Sequence, residues 1–100
     1  MIRFQRSARM SRARQQEAIP WAKEVAEFLN RKYPDAEFQA FTSRFGDIAR
    51  VVWHADFADL AALDTYMQKI VGDQEYWELV GKAGDLFIEG SIEDTVLATV

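Results

Sequence analysis

The sequence predicts a single α+β domain over residues 1–100, in the order β-α-β-β-α-β, with a four-stranded antiparallel sheet and its helices on one face. Three observations predict it. Alternating apolar and polar residues mark strands at 2–10, 36–43, 48–57 and 91–100. Apolar residues at helical spacing fill the intervals between the outer and inner strands. Gly46 stands between the two middle strands, where a short hairpin needs a positive φ, and Gly72 splits the second helical pattern.

The first strand sets Ile2, Phe4, Ala8 and Met10 against Arg3, Gln5, Ser7 and Arg9, with Arg6 as the one break in the alternation. Ser11 is expected to cap the helix that follows. Ala18, Trp21, Ala22, Val25, Phe28 and Leu29 form that helix's apolar stripe, and Glu27 and Arg31 an i,i+4 pair on its exposed side. Pro20 either kinks a helix begun near Ser11 or opens its well-formed half. The helix stops before Pro34, because a residue preceding proline avoids the helical region.

Arg44-Phe45-Gly46-Asp47 joins the middle strands. Asp56 or Asp59 then caps a helix carrying Leu60, Leu63, Met67 and Ile70. Gly72-Asp73 breaks it and caps a second segment, with Tyr76, Leu79, Val80 and Ala83 on one face as far as Gly84. A Thr/Val/Leu strand closes the chain.

Composition excludes several functions. The chain has no cysteine, so disulfides, thiolate metal sites and cysteine nucleophiles are ruled out. His54 is the sole histidine, which rules out a His-rich metal site. No apolar run approaches the roughly 20 residues that cross a bilayer. A cytoplasmic protein is expected, with no metal, no cofactor, no membrane and no nucleic acid among its partners. Charge is uneven: residues 1–54 hold ten basic and six acidic side chains, residues 55–100 two basic and ten acidic. An Arg-rich start suits a nucleic-acid stripe or a transit peptide. The acidic remainder argues against the first, and loss of the first strand against the second. The favoured reading sets the basic first strand beside the acidic last one, with Glu89, Glu93 and Asp94 as cross-strand partners.

The third strand divides its faces. Ala49, Val51, Trp53, Ala55 and Phe57 belong under the helices, while Ile48, Arg50, Val52, His54 and Asp56 face away. The hairpin partner adds Phe38 and Ala40 to the first face, and Glu37, Gln39, Phe41 and Ser43 to the second. That second face is too apolar for water and too polar for a dry core. It is expected to be closed by a second copy, enclosing a ligand cavity lined by Phe41, Arg50, Val52 and His54, with Gln39 and Arg3. His54 and Arg50 are the catalytic candidates, as proton shuttle and oxyanion partner. A hydrogen-bonded structural histidine is the favoured reading of His54, and Arg50 either holds a ligand oxygen or pairs with Glu37. The three tryptophans are read as core or interface mass.

The run Val52-Trp53-His54-Ala55-Asp56-Phe57-Ala58-Asp59-Leu60, the later Asp73-Gln74-Glu75-Tyr76-Trp77-Glu78-Leu79 and the extended strand from Thr95 resemble NIPSNAP-like and antibiotic-biosynthesis-monooxygenase-like domains. These belong to the dimeric α+β barrel superfamily, whose protomers are ferredoxin-like. The resemblance spans nearly the whole chain and implies a homodimer with facing sheets around a small apolar or aromatic ligand. Some members oxidise polyaromatic compounds without metal or flavin, and others degrade haem. Haem-degrading relatives carry their iron-binding histidine on a helix, whereas His54 lies on a strand. The asparagine and tryptophan of cofactor-free oxygenation have no matching positions, Asn30 being placed on the outer stripe of the first helix. Three functions therefore stand: a ligand-binding homodimer first, a cofactor-independent monooxygenase or isomerase of aromatic or polyketide-like compounds second, and a pure assembly module third.

Overall fold

The computed structural model describes residues 1–46 and 49–100; Asp47 and Ile48, expected in the hairpin turn and at the start of the third strand, lie outside the described residues. Strand β1 (Ile2–Arg9) leads through a 3-10 turn (Arg12–Arg14) into α1 (Gln15–Lys32). Then follow β2 (Gln39–Thr42), β3 (Arg50–Phe57), α2 (Leu60–Val71), α3 (Gln74–Gly81) and β4 (Glu93–Ala98). The strands lie in the order β2-β3-β1-β4, and each neighbouring pair is antiparallel. This is the expected α+β, ferredoxin-like arrangement, with the second helical region split at Gly72.

Strand register decides what each face carries, because side chains alternate with a period of two. Ile2, Phe4 and Ala8 on β1 and Val51, Trp53, Ala55 and Phe57 on β3 are buried beneath the helices. Ala18, Ala22, Val25 and Leu29 from α1, Leu63 and Ile70 from α2, and Tyr76 and Leu79 from α3 complete that core. Arg50, Val52 and His54 are half-buried on the opposite face, as the sequence parity requires.

Several boundaries moved, each for a local reason. Strand β2 is shorter than 36–43 because the Asn30 side chain takes both backbone groups of Phe38. Its Nδ2 donates to the Phe38 carbonyl at 2.9 Å and its Oδ1 accepts from the Phe38 N–H at 2.7 Å. Asn30 is thus half-buried rather than on an outer stripe, and Glu37 falls outside the strand. Ser11 does not cap α1: its Oγ donates to the Asp85 carbonyl at 2.8 Å. Pro20 lies inside α1, well past its first turn. Glu27 is approached by Lys23 at 4.0 Å, while the Arg31 guanidinium lies over the Phe28 ring. Of the two candidate caps for α2, Asp59 serves, accepting from the Ala62 N–H at 2.8 Å; Asp56 pairs with Arg3 instead. Gly46 has the expected positive φ of 74°.

The chain between α3 and β4 forms a strap back across the end of β1. Phe87 bridges to Met10, the Ile88 N–H donates to the Arg9 carbonyl at 2.8 Å, and the Ser91 Oγ accepts from the Arg9 N–H at 3.0 Å. Ser91 is thereby drawn out of β4, which starts at Glu93. No helix among the described residues is long and apolar enough to cross a membrane.

Candidate functional site

The expected outer-face residues do share one side of the sheet. Register aligns Gln39, His54, Gln5 and Thr95 in a polar row across all four strands. The Phe41 ring stacks on His54 with centroids 4.8 Å apart and 10° between planes. Arg3 forks onto Asp56 at 2.8 and 3.0 Å, and those hydrogen bonds hold the Asp56 carboxyl below the usual carboxylate range. Arg50 does not reach Glu37, whose backbone has left the strand; among the described residues its Nη1 donates to Ser7 Oγ at 3.0 Å and lies 3.8 Å from Glu93. His54 Nδ1 is buried with no hydrogen-bond partner among the described residues, so the expected structural hydrogen bond is missing at that atom. Phe41 and Leu97 are about half exposed on this side, with no layer of the same chain over them (47% and 48%).

Within one chain, a cleft of about 580 Å³ lies on the other side of the sheet, between it and the helices. Its floor is Phe4, Arg6, Phe38 and Trp53, and α1 supplies Trp21, Val25 and Leu29. Helix α2 adds Met67 and Ile70, α3 adds Tyr76 and Val80, and the strap adds Phe87, Ile88 and Ile92. Volume and apolar walls match those of small-molecule sites. Trp21 and Trp53 meet edge to face with centroids 6.1 Å apart, and Phe87 leans on both. Both indole N–H groups are already used: Trp21 Nε1 donates to the Leu79 carbonyl at 3.0 Å, and Trp53 Nε1 to the Ala22 carbonyl at 2.9 Å. These rings therefore offer a ligand only their apolar surfaces.

The polar end of the cleft belongs to Arg6, the residue that broke the alternation of β1. It sits opposite Trp53 on β3 and opposite Asp94 on β4, on the helix-facing side. Its Nε and Nη2 donate to the two carboxylate oxygens of Asp94 at 2.7 and 2.8 Å. The guanidinium also lies 5.6 Å from the centre of the Phe4 ring. Hydrogen bonding to Asp94 raises the Arg6 pKa further, against the opposing effect of burial, so the group stays cationic. Asp94 thus is the cross-strand acid expected for β1, whereas Glu93 lies near Arg50 of β3 instead, and Glu89 makes no ion pair among the described residues and lines the cleft.

A second polar cluster fixes α3. Asp73, buried, accepts from the Glu75 and Tyr76 N–H groups at 2.8 and 3.2 Å, and from Lys32 Nζ at 2.8 Å. The Tyr33 hydroxyl donates to the same carboxylate. Those hydrogen bonds from Lys32 and Tyr33, outweighing burial, hold the Asp73 carboxyl down at about 2. No group of His, Cys, Asp or Glu among the described residues could hold a metal ion.

Sequence reasoning placed the outer-face residues together and named Asp94 as a partner of the first strand, but did not connect Arg6, Asp94 and Tyr76 with a cleft on the helix side. The available signal was Arg6 itself, a charge at a position that alternation assigns to the core.

Neither a family model nor a curated protein matches the chain. Solved structures do. An uncharacterized NIPSNAP domain protein from Burkholderia xenovorans is 15% identical, with a TM-score of 0.82 over 100% of this chain and 95% of that one. A NIPSNAP family protein from Agrobacterium tumefaciens is 19% identical, with a TM-score of 0.79 over 99% and 92%. A structure described as an antibiotic biosynthesis monooxygenase is 17% identical, with a TM-score of 0.73 over 100% and 99%. At such identities the likeness is one of fold: this chain has the ferredoxin-like α+β architecture of NIPSNAP domain proteins and of that monooxygenase.

Proposed function

We propose that the protein binds a small apolar or aromatic molecule in the cleft between its sheet and its helices, and that it does so as a homodimer joined through the outer sheet face. The carrying observation is the cleft: about 580 Å³, walled by aromatic and aliphatic side chains, with one cationic group at its end. This moves the ligand from between two sheets, where sequence parity put it, to the opposite side of the same sheet. The face bearing Phe41, Gln39, Arg50, Val52, His54 and Arg3 then serves as the contact with the second copy. Half-exposed Phe41 and the unpartnered Nδ1 of His54 support that assignment. In this reading His54 and Arg50, being on the far side of the sheet from the cleft, take no part in chemistry on the ligand.

Two structural neighbours bear on the choice between binding and catalysis only by name, one of them as a monooxygenase. The binding reading asks less of the residues present: apolar walls, satisfied indoles and one charge that is already paired. Its test is fluorescence titration with N-phenyl-1-naphthylamine, a neutral aromatic probe. Val80→Trp, which fills the cleft from α3, is expected to weaken binding by about tenfold or more while leaving the helical circular dichroism intact. Unchanged affinity in that variant, or no binding by the native protein, would overturn the proposal.

A further inference from the structure

Among the described residues lining the cleft Arg6 is the only cation, and its surroundings cancel it. Asp94 occupies the Nε/Nη2 edge of the guanidinium through two short hydrogen bonds. That edge is the one a ligand carboxylate or sulfonate would otherwise take, because a planar fork matches two oxygens side by side. Tyr76, which also lines the cleft, interacts with the guanidinium through its hydroxyl, so what remains for a ligand is a single donor direction shared with that hydroxyl. The other charges nearby do not restore a positive field. Asp85, which also lines the cleft, is paired with Arg14, and Arg14 in turn with Glu17. Glu89 lines the cleft and makes no ion pair among the described residues. Two cations, Arg6 and Arg14, thus stand against three paired carboxylates, Asp94, Asp85 and Glu17, and Glu89 adds a fourth at the cleft.

We infer that Asp94 is a specificity-determining residue: by holding the Arg6 fork it turns the polar end of the cleft into a neutral donor that admits uncharged aromatic ligands with a single acceptor, such as a ketone or phenol oxygen, and excludes anions. The inference rests on the cleft being a binding site. An internal carboxylate satisfies the guanidinium at no cost in ordering a ligand, so an anionic ligand would have to displace it. A neutral carbonyl needs only one donor from the Arg6–Tyr76 pair. The position of Asp94 directly across from Arg6 in the β1–β4 register makes this a built-in cross-strand pair.

Two probes with one skeleton test it. N-phenyl-1-naphthylamine is neutral, and 8-anilinonaphthalene-1-sulfonate is the same molecule carrying a sulfonate. The native protein is expected to prefer the amine. Asp94→Asn should shift the ratio of the two affinities about tenfold or more toward the sulfonate, since a charge-assisted fork becomes available. Asp94→Asn with Glu89→Gln guards against Glu89 taking over the vacated fork, and adding Arg6→Met to either should cancel the shift. Equal affinities in the native protein, or an unchanged ratio in both Asp94 variants, would overturn the inference and leave the cleft a binding site. Failure of the native protein to bind the amine would remove the cleft reading, and this inference with it.

Discussion

At the scale of single residues, parity in the two central strands governs everything else. Trp53 packs under the helices while Val52 and His54 face away, which the sequence made legible through the unbroken apolar set Val51, Trp53, Ala55 and Phe57. The same parity logic contained a warning that composition alone could not interpret. Arg6 occupies a core-side position because Asp94, remote in sequence, stands across from it and supplies two hydrogen bonds. A charge in an apolar series needs such a partner; the charge split along the chain named Asp94 among three candidates, but not its register opposite Arg6. His54 went the other way: a structural hydrogen bond was the simple expectation, yet Nδ1 has no partner among the described residues. A second copy over this face would relieve that cost. Val52, half-buried beside His54, is the residue whose alteration tests it. Sedimentation at micromolar concentration should show a native dimer and a folded Val52→Glu monomer, because the contact would then bury an unpaired carboxylate on each copy. A native monomer, or a Val52→Glu dimer, would contradict the outer-face contact.

At the scale of elements, the helices were legible and their ends less so. Apolar spacing located α1, α2 and α3, and Gly72-Asp73 marked the break, because periodicity and capping are local properties. Ser11 and the first half of β2 were misplaced because their backbone groups are claimed by distant parts of the chain: Asp85 for Ser11, and the Asn30 side chain for Phe38. Asp73 shows how one such contact bears on the candidate site. It caps α3 and ties it to Lys32 and Tyr33 at the end of α1, so it sets where Tyr76 and Val80 meet the cleft. Its pKa is about 2 in the folded protein, below the ordinary value of about 3.9. A lowered carboxylate pKa stabilises the fold at pH values above the unfolded pKa, and that stabilisation fades as pH falls through the folded one. Urea unfolding should therefore show Asp73→Asn less stable than the native protein at neutral pH. The gap should close as pH drops from about 4 toward 2. A gap that stays constant across that window would assign the lowered pKa to another group.

At the scale of the whole molecule, the topology followed from the order of periods along the chain, whereas the cleft did not. Alternation and helical spacing fix which faces pack together, and hence a sheet with one covered side. Whether that covered side closes tightly depends on how far α3 and the strap from Ala83 to Ile92 stand from the sheet. Long-range contacts such as Met10 with Phe87 and Trp21 with Leu79 set that distance. The sequence thus pointed to the outer face of the sheet for a ligand, whereas the proposed site lies on the opposite side of the same sheet. The two sides can be told apart in one experiment, methyl-resolved NMR during titration with N-phenyl-1-naphthylamine. The account predicts shifts at Val25, Leu29, Ile70 and Val80, which line the cleft, with Val52 and Leu97 on the outer face left unmoved. Shifts confined to Val52 and Leu97, or none at the cleft methyls on saturation, would contradict it.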